Sequence, residues 1–148
     1  GALGAAAALA DLGAARAQNA AATAPAPTNE TFDGIYERLT RGRKPTEGKL
    51  NVEIPELAEN GNMVPFTVSA DSPMTEASHV TAIYVLSTEN PQALIATFRF
   101  TPDSGRAAAA SRMRLAKTQD VVCLAELNDG ALWAKRTAVK VTIGGCGG

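Results

Sequence analysis

From Lys49 to Ile143 the sequence returns again and again to short apolar stretches of period two, cut by turn residues. Successive side chains on a strand point to opposite faces, so this pattern calls for sheets with a buried side rather than for a helical bundle. Leu50, Val52 and Ile54 alternate, and Asn60-Gly61-Asn62 marks a turn. Met63 to Ser69 is the next strand, with Pro65 pointing to an edge or a bulge, because proline cannot donate to a ladder. Asp71-Ser72-Pro73 breaks it. His79 to Ser87 is strongly β-favouring, Glu89-Asn90-Pro91 turns, and Leu94 to Phe100 follows with Ile95, Phe98 and Phe100. After the loop from Thr101 to Gly105, Ser111 to Lys117 sets Arg112 and Arg114 against Met113 and Leu115. Asp120 to Leu127 leads through Asn128-Asp129-Gly130, a hairpin signal, into a final strand from Ala131 to Ile143. About seven strands at this spacing predict a mostly β chain, an immunoglobulin-like antiparallel β-sandwich over residues 29–143. A chain of 148 residues is long enough for one such domain with a proper core.

A short helix precedes the sheets. Phe32, Ile35, Tyr36 and Leu39 recur at helical spacing, Asn29 or Thr31 can cap, and Gly42 stops the run. Residues 1–28 are compositionally separate. Fourteen of the first 26 are alanine, and Ala15-Arg16-Ala17 offers an A-x-A cleavage pattern before Gln18. This reads as the remnant of an export signal, its mild apolar segment more typical of the twin-arginine route, followed by an Ala/Pro-rich linker. No stretch is long and apolar enough for a transmembrane helix. Asn29-Glu30-Thr31 matches a glycosylation sequon.

The last five residues, Gly144-Gly145-Cys146-Gly147-Gly148, cannot be explained by packing. Glycine loses the most conformational freedom on folding, so a glycine run resists being fixed. The motif reads as a flexible arm of residues 144–148, with Gly144, Gly145, Gly147 and Gly148 supplying flexibility and Cys146 a thiol for covalent attachment. Fully extended, such a tail reaches roughly 17 Å. Valine at Gly144 and Gly145 should stiffen and widen the arm without touching the sandwich, leaving the melting temperature unchanged while turnover by partner enzymes falls at least tenfold. No Lys, Arg or His near Cys146 favours the thiolate, so it reads as a passive acceptor, activated inside a partner's site. An idle glycine tail and a disulfide-forming thiol remain alternatives.

The body shows no catalytic equipment. One histidine, His79, and two distant cysteines give no zinc-ligand spacing and no nucleophilic triad, so neither a metal nor a cofactor is expected. Cys123, within Val121-Val122-Cys123-Leu124-Ala125, reads as a small buried hydrophobe. Its pairing with Cys146 is arithmetically possible, but would pin the arm. The net charge of −1 suggests neither nucleic acid nor membrane as partner. Arg106, Arg112, Arg114, Lys117, Lys135, Arg136 and Lys140 outnumber Asp120, Glu126 and Asp129 locally, most simply as a solvated strand face.

The terminal motif, preceded by Val139-Lys140-Val141-Thr142-Ile143, resembles the Y subunit of the bacterial sulfur-oxidation (Sox) carrier complex. Asn60-Gly61-Asn62-Met63-Val64-Pro65, Asp71-Ser72-Pro73-Met74 and Arg114-Leu115-Ala116-Lys117-Thr118-Gln119 are similar to that family as well. The resemblance covers Phe32 to Gly148. It implies a periplasmic, non-enzymatic carrier subunit paired with SoxZ as a heterodimer, with thiosulfate held on Cys146 as a thiosulfonate. It also implies transient contacts with the SoxAX cytochrome, which attaches the substrate oxidatively, and with the SoxB hydrolase, which releases sulfate. In some organisms the molybdenum enzyme SoxCD oxidises the remaining sulfane sulfur. Two other classes stay open from the residues alone: a carrier that uses a terminal diglycine thiocarboxylate, and an exported structural or adhesive sandwich domain.

Overall fold

The computed structural model describes residues 30–145. The export remnant and linker of 1–28, the first sequon residue, and Cys146, Gly147 and Gly148 lie outside the described residues.

The helix α1, Phe32–Thr40, begins where the sequence places it. The Thr31 side chain accepts from the Gly34 amide at 3.1 Å, and Asp33 adds a carboxylate to the first turn, where the helix dipole favours it. Arg41 closes it in the left-handed conformation, with φ at 50°, its amide donating to the Glu37 carbonyl. Arg43 fixes the helix end to the sheet. Its guanidinium donates to the Leu39, Thr40 and Gly130 carbonyls and pairs with Glu126 at 3.0 Å.

Nine strands follow: β1 (Thr46–Glu47), β2 (Leu50–Glu53), β3 (Leu57–Asn60), β4 (Val64–Ala70), β5 (Val80–Ser87), β6 (Leu94–Arg99), β7 (Ala107–Met113), β8 (Gln119–Leu127) and β9 (Leu132–Ile143). They form a β-sandwich. One sheet has the order β1-β9-β8-β5-β6, with β3 also pairing β9, and the other has the order β2-β4-β7. All pairs are antiparallel except β1 and β3, which run parallel to β9.

The larger sheet is buried on both faces. Ile83, Val85, Val121, Cys123, Ala125 and Val139 meet Val64, Phe66, Val68 and Met113 of the smaller sheet. Ala82, Tyr84, Leu86, Val122, Leu124 and Ala134 point the other way, where Ile35, Phe32, Tyr36 and Leu39 of α1 cover them. That explains why Val121–Ala125 is continuously apolar rather than alternating. Full burial of Ile35 alone is worth about 2 kcal/mol.

Three expectations need correction. The strand drawn over Ser111–Lys117 instead spans Ala107–Met113 and pairs Ala107 with Ala70 and Met113 with Val64. Four alanines carry little intrinsic β preference, and cross-strand pairing with β4 sets the strand's start. The count rises from about seven to nine because β1 and β3 are two- and four-residue pieces held by β9. Pro65 lies on the middle strand of its sheet. Yet β2 reaches only as far as Thr67, so only β7 flanks β4 at Pro65.

Candidate functional site

The site is built where β9 ends. Lys140 donates to the Glu56 carbonyl at 2.9 Å, and Val141 donates to Thr118 Oγ1 at 2.9 Å. Three backbone bonds then tie the end of the strand into a small ring. Gly61 N–H donates to the Ile143 carbonyl at 2.7 Å, Leu115 N–H to the Gly61 carbonyl at 2.8 Å, and Gly145 N–H to the Leu115 carbonyl at 2.8 Å. Leu115 is itself anchored, its side chain fully buried in the inter-sheet core. On the other flank the turn at 60–62 is stiffened by Asn60 Oδ1, which accepts from the Asn62 amide at 3.0 Å.

This ring explains three glycines. A Cβ on Gly61 would strike the Leu115 carbonyl oxygen and stand 2.7 Å from Gly145 N and 3.0 Å from Ile143 O. One on Gly144 would strike the Ala116 carbonyl oxygen, and one on Gly145 would stand 2.6 Å from Gly61 O. None of the three has a positive φ, so close backbone approach is what requires glycine here. The expectation that side chains at 144 and 145 leave the body untouched fails on this geometry. Gly144 and Gly145 are seated between the Gly61 turn and the Leu115–Ala116 segment. The role of Gly61 was missed in the sequence, where Asn60-Gly61-Asn62 reads only as a turn; nothing local announces the approach.

The chain is therefore held up to Gly145, the residue before the thiol. A cleft of about 440 Å³ is lined among others by Asn62, Met63, Leu94, Arg112 and Arg114, of which Asn62 and Arg114 are the sequence neighbours of Gly61 and Leu115. It presents sulfur, aliphatic and guanidinium groups.

The remaining candidates separate cleanly. Cys123 is free and fully buried between Val85 and Lys135 of the flanking strands. Burial pushes its thiol up to about 12, so it stays protonated and unreactive near neutrality. His79 precedes β5 and donates from Nδ1 to the Thr75 carbonyl at 2.9 Å, a local turn contact. The basic residues lie on exposed surface, and Arg136 pairs with Asp120. Among the described residues, no group of three or more His, Cys, Asp or Glu side chains is placed to hold a metal ion. No helix among them is long and apolar enough to cross a membrane.

The family model for sulfur oxidation protein SoxY matches residues 36–146, three quarters of the chain, including the ring and the cysteine. The chain belongs to the SoxY family. SoxY proteins are carrier subunits of sulfur oxidation, and the family match reaches the cysteine but not the last two glycines. No curated protein sequence matches the chain. Among solved structures it is similar to a superoxide reductase (neelaredoxin) from Ignicoccus hospitalis, with 19% identity and a TM-score of 0.58, covering 64% of this chain and 80% of that one. A superoxide reductase from Nanoarchaeum equitans aligns at 14% identity and a TM-score of 0.54, covering 64% of this chain and 98% of that one. At such identities the likeness is one of fold alone.

Proposed function

We propose that this SoxY-family protein is a periplasmic carrier of thiosulfate oxidation that holds sulfur intermediates covalently on Cys146. The observation that carries the reading is the glycine ring. The body fixes the chain by backbone contacts up to Gly145, and the family's cysteine follows at once. The other thiol is buried and protonated, so the two cysteines divide into one structural and one chemical.

The chemistry balances with partners supplying what this chain lacks. The Cys146 thiolate and the outer sulfur of thiosulfate join as a disulfide-type bond, with two electrons passing to the SoxAX cytochrome. Hydrolysis by SoxB adds one water, releases sulfate and two protons, and leaves a persulfide anion on Cys146. Where present, SoxCD oxidises that sulfane sulfur further. SoxZ is the stable partner that completes the carrier, and export is through the twin-arginine route. In all of these steps the chain's own part is to present one thiol and keep the other out of the reaction. Peptide mass spectrometry on protein from cells grown on thiosulfate should find sulfur adducts on the peptide holding Cys146. Adducts confined to the Cys123 peptide would overturn the reading. A diglycine thiocarboxylate carrier or a structural domain would retain its function after Cys146→Ser; the carrier proposed here loses it.

A further inference from the structure

We infer that Asn90 is the positioning residue of the arm's base, fixing the place of Gly145, the residue that precedes Cys146 in the sequence. The inference rests on the carrier reading for its functional meaning, but not for its geometry.

The segment that receives Gly144 and Gly145 lies beyond the sheet. β7 ends at Met113 and β8 begins at Gln119, so residues 114–118 have no strand ladder on the inner side. Buried backbone without a partner is costly, and a side-chain amide carries the same donor and acceptor pair as a peptide group. Asn90 takes the place of the missing strand. Its Oδ1 accepts from Ala116 N–H at 2.9 Å, and its Nδ2 donates to the Arg114 carbonyl at 2.8 Å. The pair brackets Leu115. With its neighbours held from within, Leu115 turns its own N–H toward Gly61 and its carbonyl toward Gly145.

Asn90 is in turn immobilised. It is 7% exposed, and Gln119 Nε2 donates to its Oδ1 at 2.9 Å. Gln119, also buried, donates to the Lys117 carbonyl and accepts from the Glu89 amide. Three partners with fixed roles leave the Asn90 amide a single orientation. The path is thus Gln119 to Asn90, to the Leu115 backbone, to Gly145, and Cys146 is the next residue. Asn90-Pro91 reads in the sequence as a turn; its structural part is a buried peptide mimic.

The test removes the amide and reads the arm's base directly. In Asn90→Ala, exchange of the Gly145 amide with solvent deuterium should quicken at least tenfold. The KM of the SoxAX cytochrome for the carrier should rise at least tenfold with kcat little changed. Alkylation of Cys146 by iodoacetamide should keep its wild-type rate, because a small reagent needs no particular exit direction. Ile83→Val, a core truncation near the far end of β8, serves as the destabilised control and should leave Gly145 exchange and KM unchanged. Should Asn90→Ala not fold, Gln119→Leu leaves Asn90 in place but unpinned, and should move the same readouts in the same direction. Wild-type exchange at Gly145 in the amide variants, or equal acceleration in Ile83→Val, overturns the proposal. Failure of the carrier reading looks different: Cys146→Ser would keep full activity while Asn90→Ala still released the Gly145 amide.

Discussion

Alanine at Gly61 should cost more than alanine at any glycine of the terminal motif, although Gly61 lies more than eighty residues away from that motif in sequence. Two responses are open to an added Cβ in the ring. At Gly145 it would stand 2.6 Å from Gly61 O, about 0.8 Å inside ordinary contact. The cheapest relief is for the chain to peel away after Ile143, giving up the single bond from Gly145 to Leu115. One such bond is worth about 1 kcal/mol. At Gly61 peeling does not help, because the Cβ meets the Leu115 carbonyl oxygen within the body. The turn must move, and its displacement stretches both bonds that Gly61 makes, to Ile143 and from Leu115, about 2 kcal/mol in total. For a domain of this size the melting temperature falls by roughly 4 °C per kcal/mol. Differential scanning calorimetry should therefore show Gly145→Ala about 4 °C below wild type and Gly61→Ala about 8 °C below. A Gly61→Ala protein melting within about 1 °C of wild type, or a larger loss at Gly145 than at Gly61, would refute the reasoning.

Two further outcomes follow from the body. The Cys123 thiol is held up to about 12 in the fold and titrates near its ordinary value once unfolded, so the unfolded state binds fewer protons between those values. Its stabilising contribution is complete at neutral pH and is lost as pH rises towards 12. Denaturant melts should show wild type losing stability more steeply than Cys123→Val across that alkaline window, and parallel slopes would count against it. Arg43 satisfies three carbonyls and Glu126 with one planar fork, so Arg43→Ala should cost about 2 kcal/mol by urea melts. Arg43→Lys should recover only a minor part of that, since an ammonium lacks the fork; full recovery would mean that charge alone matters.

How far the sequence could be read depended on whether the deciding interaction was local. Helix α1 is legible in the sequence, with the cap open between Asn29 and Thr31, because its cap and its apolar stripe are neighbours in sequence. The strands β5 and β8 were legible because burial on both faces leaves an unbroken apolar signature. β7 was placed several residues late, since Ala107–Ala110 say nothing about strand until β4 is beside them. β1 and β3 were invisible for the same reason, as both exist by pairing with β9. At the site, the sequence singles out the terminal glycines and the cysteine. Gly61, Asn90 and Gln119 act through contacts across the fold; the first two read locally as turn residues, and Gln119 falls between two expected strands.

The parallel pairing of β3 with β9 has a mechanical consequence. On the carrier function proposed above, a pull applied to the chain beyond Gly145 and along the axis of β9 would load that strand. That strand is bonded along eight positions to β8 on one side and to β1 and β3 on the other. Its hydrogen bonds lie across the direction of pull, so they are loaded in shear, many at once, rather than opened one after another from the end. The ring at Gly61 lies at the end of β9 nearest the load and is the first part to yield. The anchorage thus grades from a releasable last few residues to a strand that resists extraction, and tension applied beyond Gly145 need not reach the core.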